Sequence, residues 1–155
     1  MLDMSMTVKT TPRGTVLHVT AKGSFTLDSA MQTFIEVIRA ADMNKSERIL
    51  FDARNLAGEP SIIERFYYGE FAADAVMRPG ENRAPLRNPQ FAYVMVPPIL
   101  DPSRLGETVA ANRGMNVRAF ENMVEAVAWL GFTSDDIDYV FGDLTDALER
   151  TDEPS

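Results

Sequence analysis

The strongest constraint on this chain is an alternation. Short apolar runs with strand character take turns with longer stretches whose apolar residues recur at helical spacing. A chain that switches period in this way covers one sheet with helices, the α/β layer arrangement. Residues 7–11 and 15–20 read as two strands around Pro12, Arg13 and Gly14, a tight-turn sequence that makes the pair a hairpin. In the second strand Val16 and His18 point one way, Leu17 and Val19 the other. Thr26 stands as the N-cap of a helix that carries Ala30, Met31, Phe34, Val37, Ile38 and Ala41 on one face.

The run at 48–53 (RILFDA) reads as a third strand buried on both faces, followed by a loop over 54–60. Ser61 opens a second helix, with Glu64 in capping-box spacing and Ile62, Phe66, Gly69, Ala73 and Val76 as its apolar stripe. Residues 78–90, rich in proline and arginine, form the longest irregular stretch. A fourth strand covers 91–96 and stops at Pro97 and Pro98. Asp101 and Pro102 supply a cap and a proline at the first helical position of a third helix, which Gly114 ends. A fifth strand at 116–120 leads to a helix capped by Asn122, with Val124, Val127, Ala128 and Leu130 inward. A last helix is expected from about 134 to 149, with Ile137, Val140, Phe141, Leu144 and Leu148 as its stripe, and residues 151–155 as a disordered tail. The expected order is β-β-α-β-α-β-α-β-α plus one C-terminal helix. It makes a five-stranded mixed sheet in a single domain spanning residues 1–155 with its core at about 7–131.

Composition narrows the function classes. The chain has no cysteine, which removes disulfides, thiol catalysis and thiolate metal sites and fits a reducing cytoplasm. Its net charge of −8 disfavours a nucleic-acid surface. No apolar run approaches the roughly 20 residues of a membrane span. His18 is the one histidine, mid-strand, without the companions a metal site or a nucleophile–base pair needs. No glycine-rich phosphate loop is present, and no pair among the 23 acidic residues is singled out by spacing. The expectation is a protein without catalytic residues, metal or cofactor.

Candidate binding residues cluster after the third strand. Asp52, Arg54, Asn55 and Glu59 occupy the carboxyl end of a strand, where ligands of open α/β sheets gather, although Asp52 and Arg54 paired with neighbours would also pin the loop. Ser61 at a helix start is both a cap and a place where an anion is welcome, so it is a possible phosphoacceptor. The second helix carries Phe66, Tyr67, Tyr68 and Phe71, more aromatic bulk than one face hides. An apolar pocket beneath it, bordered by 78–90, is the alternative to a broad core stripe. The stripe of the last helix packs on its own sheet or on a second subunit, the basis for expecting a homodimer.

Three segments carry a family resemblance. They are DARNLAGEPS from Asp52 to Ser61, DPSRLGETVAANRG from Asp101 to Gly114, and NVRAF from Asn116 running into EAVAWLG at Glu125. Together with the element order they resemble the STAS domain of bacterial anti-sigma factor antagonists, and more finely the SpoIIAA-like, STAS/Sec14-related group of small bacterial proteins. The resemblance implies a regulatory, protein-binding module acting through the segment from Gly58 to Ser61 and Arg65. In the antagonists a serine at the start of the second helix is phosphorylated by the partner kinase, which breaks the complex. Ser61 falls at that place, in a Gly-Glu-Pro-Ser context where the antagonists carry Asp-Ser-Ser-Gly. The Sec14 side of the resemblance implies the alternative, a carrier or sensor of a small apolar or lipid-like ligand held near Phe66 and Phe71.

Overall fold

The computed structural model describes residues 5–77 and 88–133. Its elements are β1 (Thr7–Arg13), β2 (Val16–Ser24), α1 (Leu27–Asn44), β3 (Arg48–Ala57), α2 (Ile62–Met77), β4 (Gln90–Val94), α3 (Leu105–Asn112), β5 (Val117–Phe120) and α4 (Met123–Trp129). The expected helix over 134–149, the homodimer contact assigned to it, the tail, and most of the 78–90 stretch lie outside the described residues.

The five strands lie in chain order, β1-β2-β3-β4-β5. β1 pairs with β2 antiparallel, and every later pairing is parallel. Each parallel step needs a crossover helix, and crossovers of one hand stepping in one direction stack their helices on one face. α1, α2 and α3 accordingly share a face, and the period-two alternation of the strands supplies their floor. Leu17, Val19, Ile49, Phe51, Phe91 and Tyr93 are buried there. Val16, Leu50, Ala92, Val94 and Phe120 point the other way and pack beneath α4 through Met123, Ala126, Val127 and Leu130.

Local signals set the helix starts. Thr26 accepts from the Ser29 amide at 3.1 Å, and Asn122 accepts from the Glu125 amide at 2.9 Å. Ser61 and Glu64 close a reciprocal box, with Ser61 N donating to Glu64 Oε1 at 2.8 Å and Glu64 N to Ser61 Oγ at 3.1 Å. Each satisfies amides that the first helical turn leaves unpaired.

Several boundaries differ from expectation. Pro12 and Arg13 belong to β1, so the hairpin turns at Gly14, whose φ of 62° is the left-handed region. β3 runs through 54–57 rather than ending at Ala53, because β2 shifts register between Thr20 and Lys22 and pairs onward with Asn55, Leu56 and Ala57. β4 ends at Val94. Asp101 does not open a helix with Pro102 inside it. Its carboxylate instead accepts from the amides of Ser103, Arg104 and Leu105 at 2.6, 2.8 and 3.2 Å, and α3 begins only at Leu105. On α4, Val124 and Ala128 face solvent, because the buried stripe passes through Met123, Ala126, Val127 and Leu130.

Candidate functional site

The first two turns of α2 present the main departure from an ordinary amphipathic helix. Its buried positions are Gly69, Ala72, Ala73 and Val76, none of them in the first two turns. Ile62 and Phe66, expected in the core stripe, are solvent-facing. Ile62 and Ile63 retain 75% and 65% exposure, and Phe66 and Tyr67 retain 38% and 50%. The stripe was readable from spacing, but among the described residues its N-terminal half stays largely open to solvent. The result is four large apolar side chains grouped beside Ser61.

The patch is held in place from below. The Arg65 guanidinium donates to the carbonyl oxygens of Ile99 at 2.5 Å and Pro98 at 2.8 Å, and its Nε lies 3.7 Å from Asp101 Oδ2. Burial acts to raise the Asp101 pKa, but hydrogen bonds from Ser103, Leu105 and Arg104 outweigh it and leave the carboxyl below its usual value. Arg113, at the end of α3, pairs with Glu70 at 2.8 Å and stands 5.6 Å over the Phe66 ring. Tyr67 meets Phe66 edge-on at 5.8 Å. Arg65 thus positions the helix start, while Ser61, Glu59 and Gly58 lie exposed ahead of it. Phe71 is elsewhere, half-buried against the core and edge-on to Phe34 at 6.4 Å.

Below α2 lies an apolar cavity of about 110 Å³ between α2, α3 and the sheet. Tyr68 and Tyr93 are in its wall, with hydroxyls 2.9 Å apart. Burial pushes both phenols well above their ordinary pKa, so they stay protonated. The rim includes Arg104, which donates to the Ala119 carbonyl at 2.8 Å, and Glu107, which accepts from the Ala119 amide at 3.1 Å. Tyr93 and Arg104 were not singled out from the sequence. The available signal was Tyr93 itself, a phenol inside an otherwise apolar buried strand, which needs a hydrogen-bond partner.

Asp52 and Arg54 do not join Ser61 and Phe66. Alternation along β3 sends Phe51 and Ala53 toward the α2 face and Asp52 and Arg54 through to the other. There the two form a bidentate pair, Arg54 Nε and Nη2 donating to Asp52 at 2.9 and 2.8 Å, with the Arg54 amide adding a third bond at 3.1 Å. His18 shares their neighbourhood. Burial holds its pKa below 6.5, Asp52 pulls it upward, and Arg13, Arg54 and Lys9 add to the depression. A base whose folded pKa is lowered contributes stability above its unfolded pKa and loses it as pH falls below that value, because the unfolded chain takes up the proton first. The guanidinium denaturation midpoint is therefore expected to fall between pH 8 and pH 5.5 by more in the wild type than in His18→Gln. Equal falls would remove His18 from the account.

Among the described residues no group of three or more histidine and carboxylate side chains is arranged to hold a metal ion, and no helix is long and apolar enough to cross a membrane. No family model matches the chain, and no curated protein does. Among solved structures, an anti-sigma factor antagonist from Mycobacterium paratuberculosis superposes with a TM-score of 0.52 at 12% identity, covering 83% of this chain and 97% of that one. With its mixed five-stranded sheet and crossover helices, this chain has the STAS-type α/β fold of that antagonist.

Proposed function

We propose that the protein is a non-enzymatic regulatory module that binds a protein partner through the start of α2 and the segment from Gly58 to Ser61. The observation that carries this is the exposed quartet Ile62, Ile63, Phe66 and Tyr67, fixed in place by Arg65 and Arg113. A contiguous apolar patch on a pre-organised helix is the usual make-up of an interface centre. The shared fold with an anti-sigma factor antagonist supports a role in regulation by contact. Glu59, Glu64 and Glu70 flank the patch, and the chain carries −8 overall, so the partner that fits has an apolar centre and a basic rim. Asp52 and Arg54 pin the end of β3 from the far face and stand apart from this surface. The absence of cysteine fits a cytoplasmic setting.

Ser61 is the proposed control point. Phosphorylation there would add a charge of about −1.5 to −2 beside apolar side chains that a partner must desolvate. It would also place that charge against Glu64, whose carboxylate closes the capping box. Association would be weakened, not strengthened.

The test is affinity capture by the immobilised chain, with the retained protein then purified and titrated. Phe66→Asp and Ser61→Glu are each expected to weaken binding at least tenfold, on the scale of interface hot spots. Ser61→Ala loses a cap worth about 1 kcal/mol of stability but keeps the partner. Val124→Ser, an exposed apolar site on α4, is the control expected to bind as the wild type does. Wild-type affinity in both Phe66→Asp and Ser61→Glu would move the docking surface away from α2.

A further inference from the structure

The cavity below α2 has no part in that docking reading, and three of its features point to an occupant. First, it should not persist as empty space. Protein interiors keep few voids larger than a water molecule, yet here Ala30, Gly69, Ala72, Ala110 and Ala119 face one another across about 110 Å³. Larger side chains at the four alanines would fill it, whereas Gly69 is kept bare by the close approach of the Gly106 backbone. Second, it lies where α/β sheets hold ligands, beyond the carboxyl ends of parallel strands. Its wall runs from Ala53 and Leu56 on β3 past Tyr93 on β4 to Ala119 on β5. Third, it contains one polar opportunity. Tyr68 and Tyr93 share a single hydrogen bond, so only one of the two phenol protons is used. The other has no acceptor among the described residues, and Tyr93 is 7% exposed.

The charged groups at the rim narrow the class further. Arg65 is engaged by the Pro98 and Ile99 carbonyls, Asp101 by the amides of Ser103, Arg104 and Leu105, Arg104 by the Ala119 carbonyl, and Glu107 by the Ala119 amide. Each is already bonded to the backbone, which leaves a charged ligand without a dedicated counter-ion. The volume sets the size. Benzene occupies an apolar cavity of about 150 Å³, so about 110 Å³ suits roughly four or five non-hydrogen atoms, the size of a five-membered ring.

We infer that the cavity between α2, α3 and the strand ends binds a small neutral molecule with an apolar body and one hydrogen-bond acceptor, a ketone, ether or alcohol oxygen that receives the free phenol proton of the Tyr68–Tyr93 pair. The test uses cyclopentanone, cyclopentane and isobutyrate as probes and follows amide chemical shifts of the full chain. Cyclopentanone is expected to give saturable shifts at Tyr68, Ala110 and Ala119. Its affinity should fall about fivefold in the double variant Tyr68→Phe/Tyr93→Phe, the loss of one net hydrogen bond. Cyclopentane, lacking an acceptor, should bind both proteins alike, and isobutyrate should bind neither. Ala110→Leu and, from another wall, Ala30→Val should abolish uptake in whichever variant folds. The inference is overturned if cyclopentanone gives no saturable shift, as for a cavity that holds only water. It also fails if binding survives in a folded filled variant, or if isobutyrate binds as well as the ketone.

Discussion

Gly69→Ala is expected to destabilise the protein by about 3 kcal/mol and lower its thermal midpoint by roughly 6–12 °C. A Cβ built at Gly69 lies 2.5 Å from the carbonyl oxygen of Gly106 and 3.3 Å from its carbonyl carbon. The obstacle is backbone of a neighbouring helix, so relief requires α2 and α3 to separate. Alanine gains up to about 1 kcal/mol over glycine in a helix interior, too little to offset that separation. Gly106 provides the control. Its added Cβ would meet only the Arg65 carbonyl oxygen at 3.3 Å. There the small adjustment and the propensity gain nearly cancel, and Gly106→Ala is expected within about 1 kcal/mol of the wild type. Calorimetry of the two variants tests the asymmetry. Equal effects would mean that α2 and α3 do not approach through Gly69.

The second large effect is at Phe34. Phe34→Ala is expected to cost about 3–5 kcal/mol, the range for emptying a fully buried aromatic site. The ring is wholly buried on α1 and touches three others: Tyr68 edge-on at 6.0 Å, Phe71 edge-on at 6.4 Å, and Phe91 stacked at 5.8 Å. It joins α1 to α2 and to the centre of the sheet, so truncation leaves a void that no single neighbour can fill. Met43 on the same helix is 83% exposed, and Met43→Ala should stay within about 0.5 kcal/mol. Urea denaturation of the pair measures the contrast. A loss below about 1.5 kcal/mol at Phe34 would show that the core repacks around the gap.

Much of this architecture was legible because it is local. Thr26, Ser61 with Glu64, and Asn122 each name a helix start within four residues, and the structure closes each bond. Leu17 against Val16 shows which side of β2 meets which layer. The misses share a different cause, since each depends on residues distant in the chain. The stretch 54–57 joins β3 only because β2 bulges between Thr20 and Lys22 and brings Lys22, Gly23 and Ser24 alongside it. Ile62 and Phe66 lie at correct helical spacing, yet periodicity defines a face and not what covers it. The approach of Gly69 to Gly106 unites two unremarkable glycines from separate helices. For the candidate site, the sequence assigns Ser61 and Arg65 to a partner surface and Phe66 to the alternative pocket, whereas the structure sets all three at the start of α2, with Phe66 turned toward solvent. Asp52 and Arg54 were grouped with them by proximity in the chain, whereas strand alternation, already visible in RILFDAR, assigns them to the opposite face.

The sequential strand order has a consequence for how this protein meets other molecules. It leaves β1 and β5 as the two borders of the sheet. β1 carries Lys9, Pro12 and Arg13, and β5 is only four residues long with Arg118 in its middle. Proline offers no amide to an incoming strand, cationic side chains obstruct its approach, and a four-residue edge gives it little to grip. Recruitment by adding a strand, a common route for peptide recognition and for runaway self-association, is discouraged at both borders. A partner that reads side chains on a helical surface meets no such obstacle, and among the described residues neither border offers an easy seam along which the sheets of two copies could be joined.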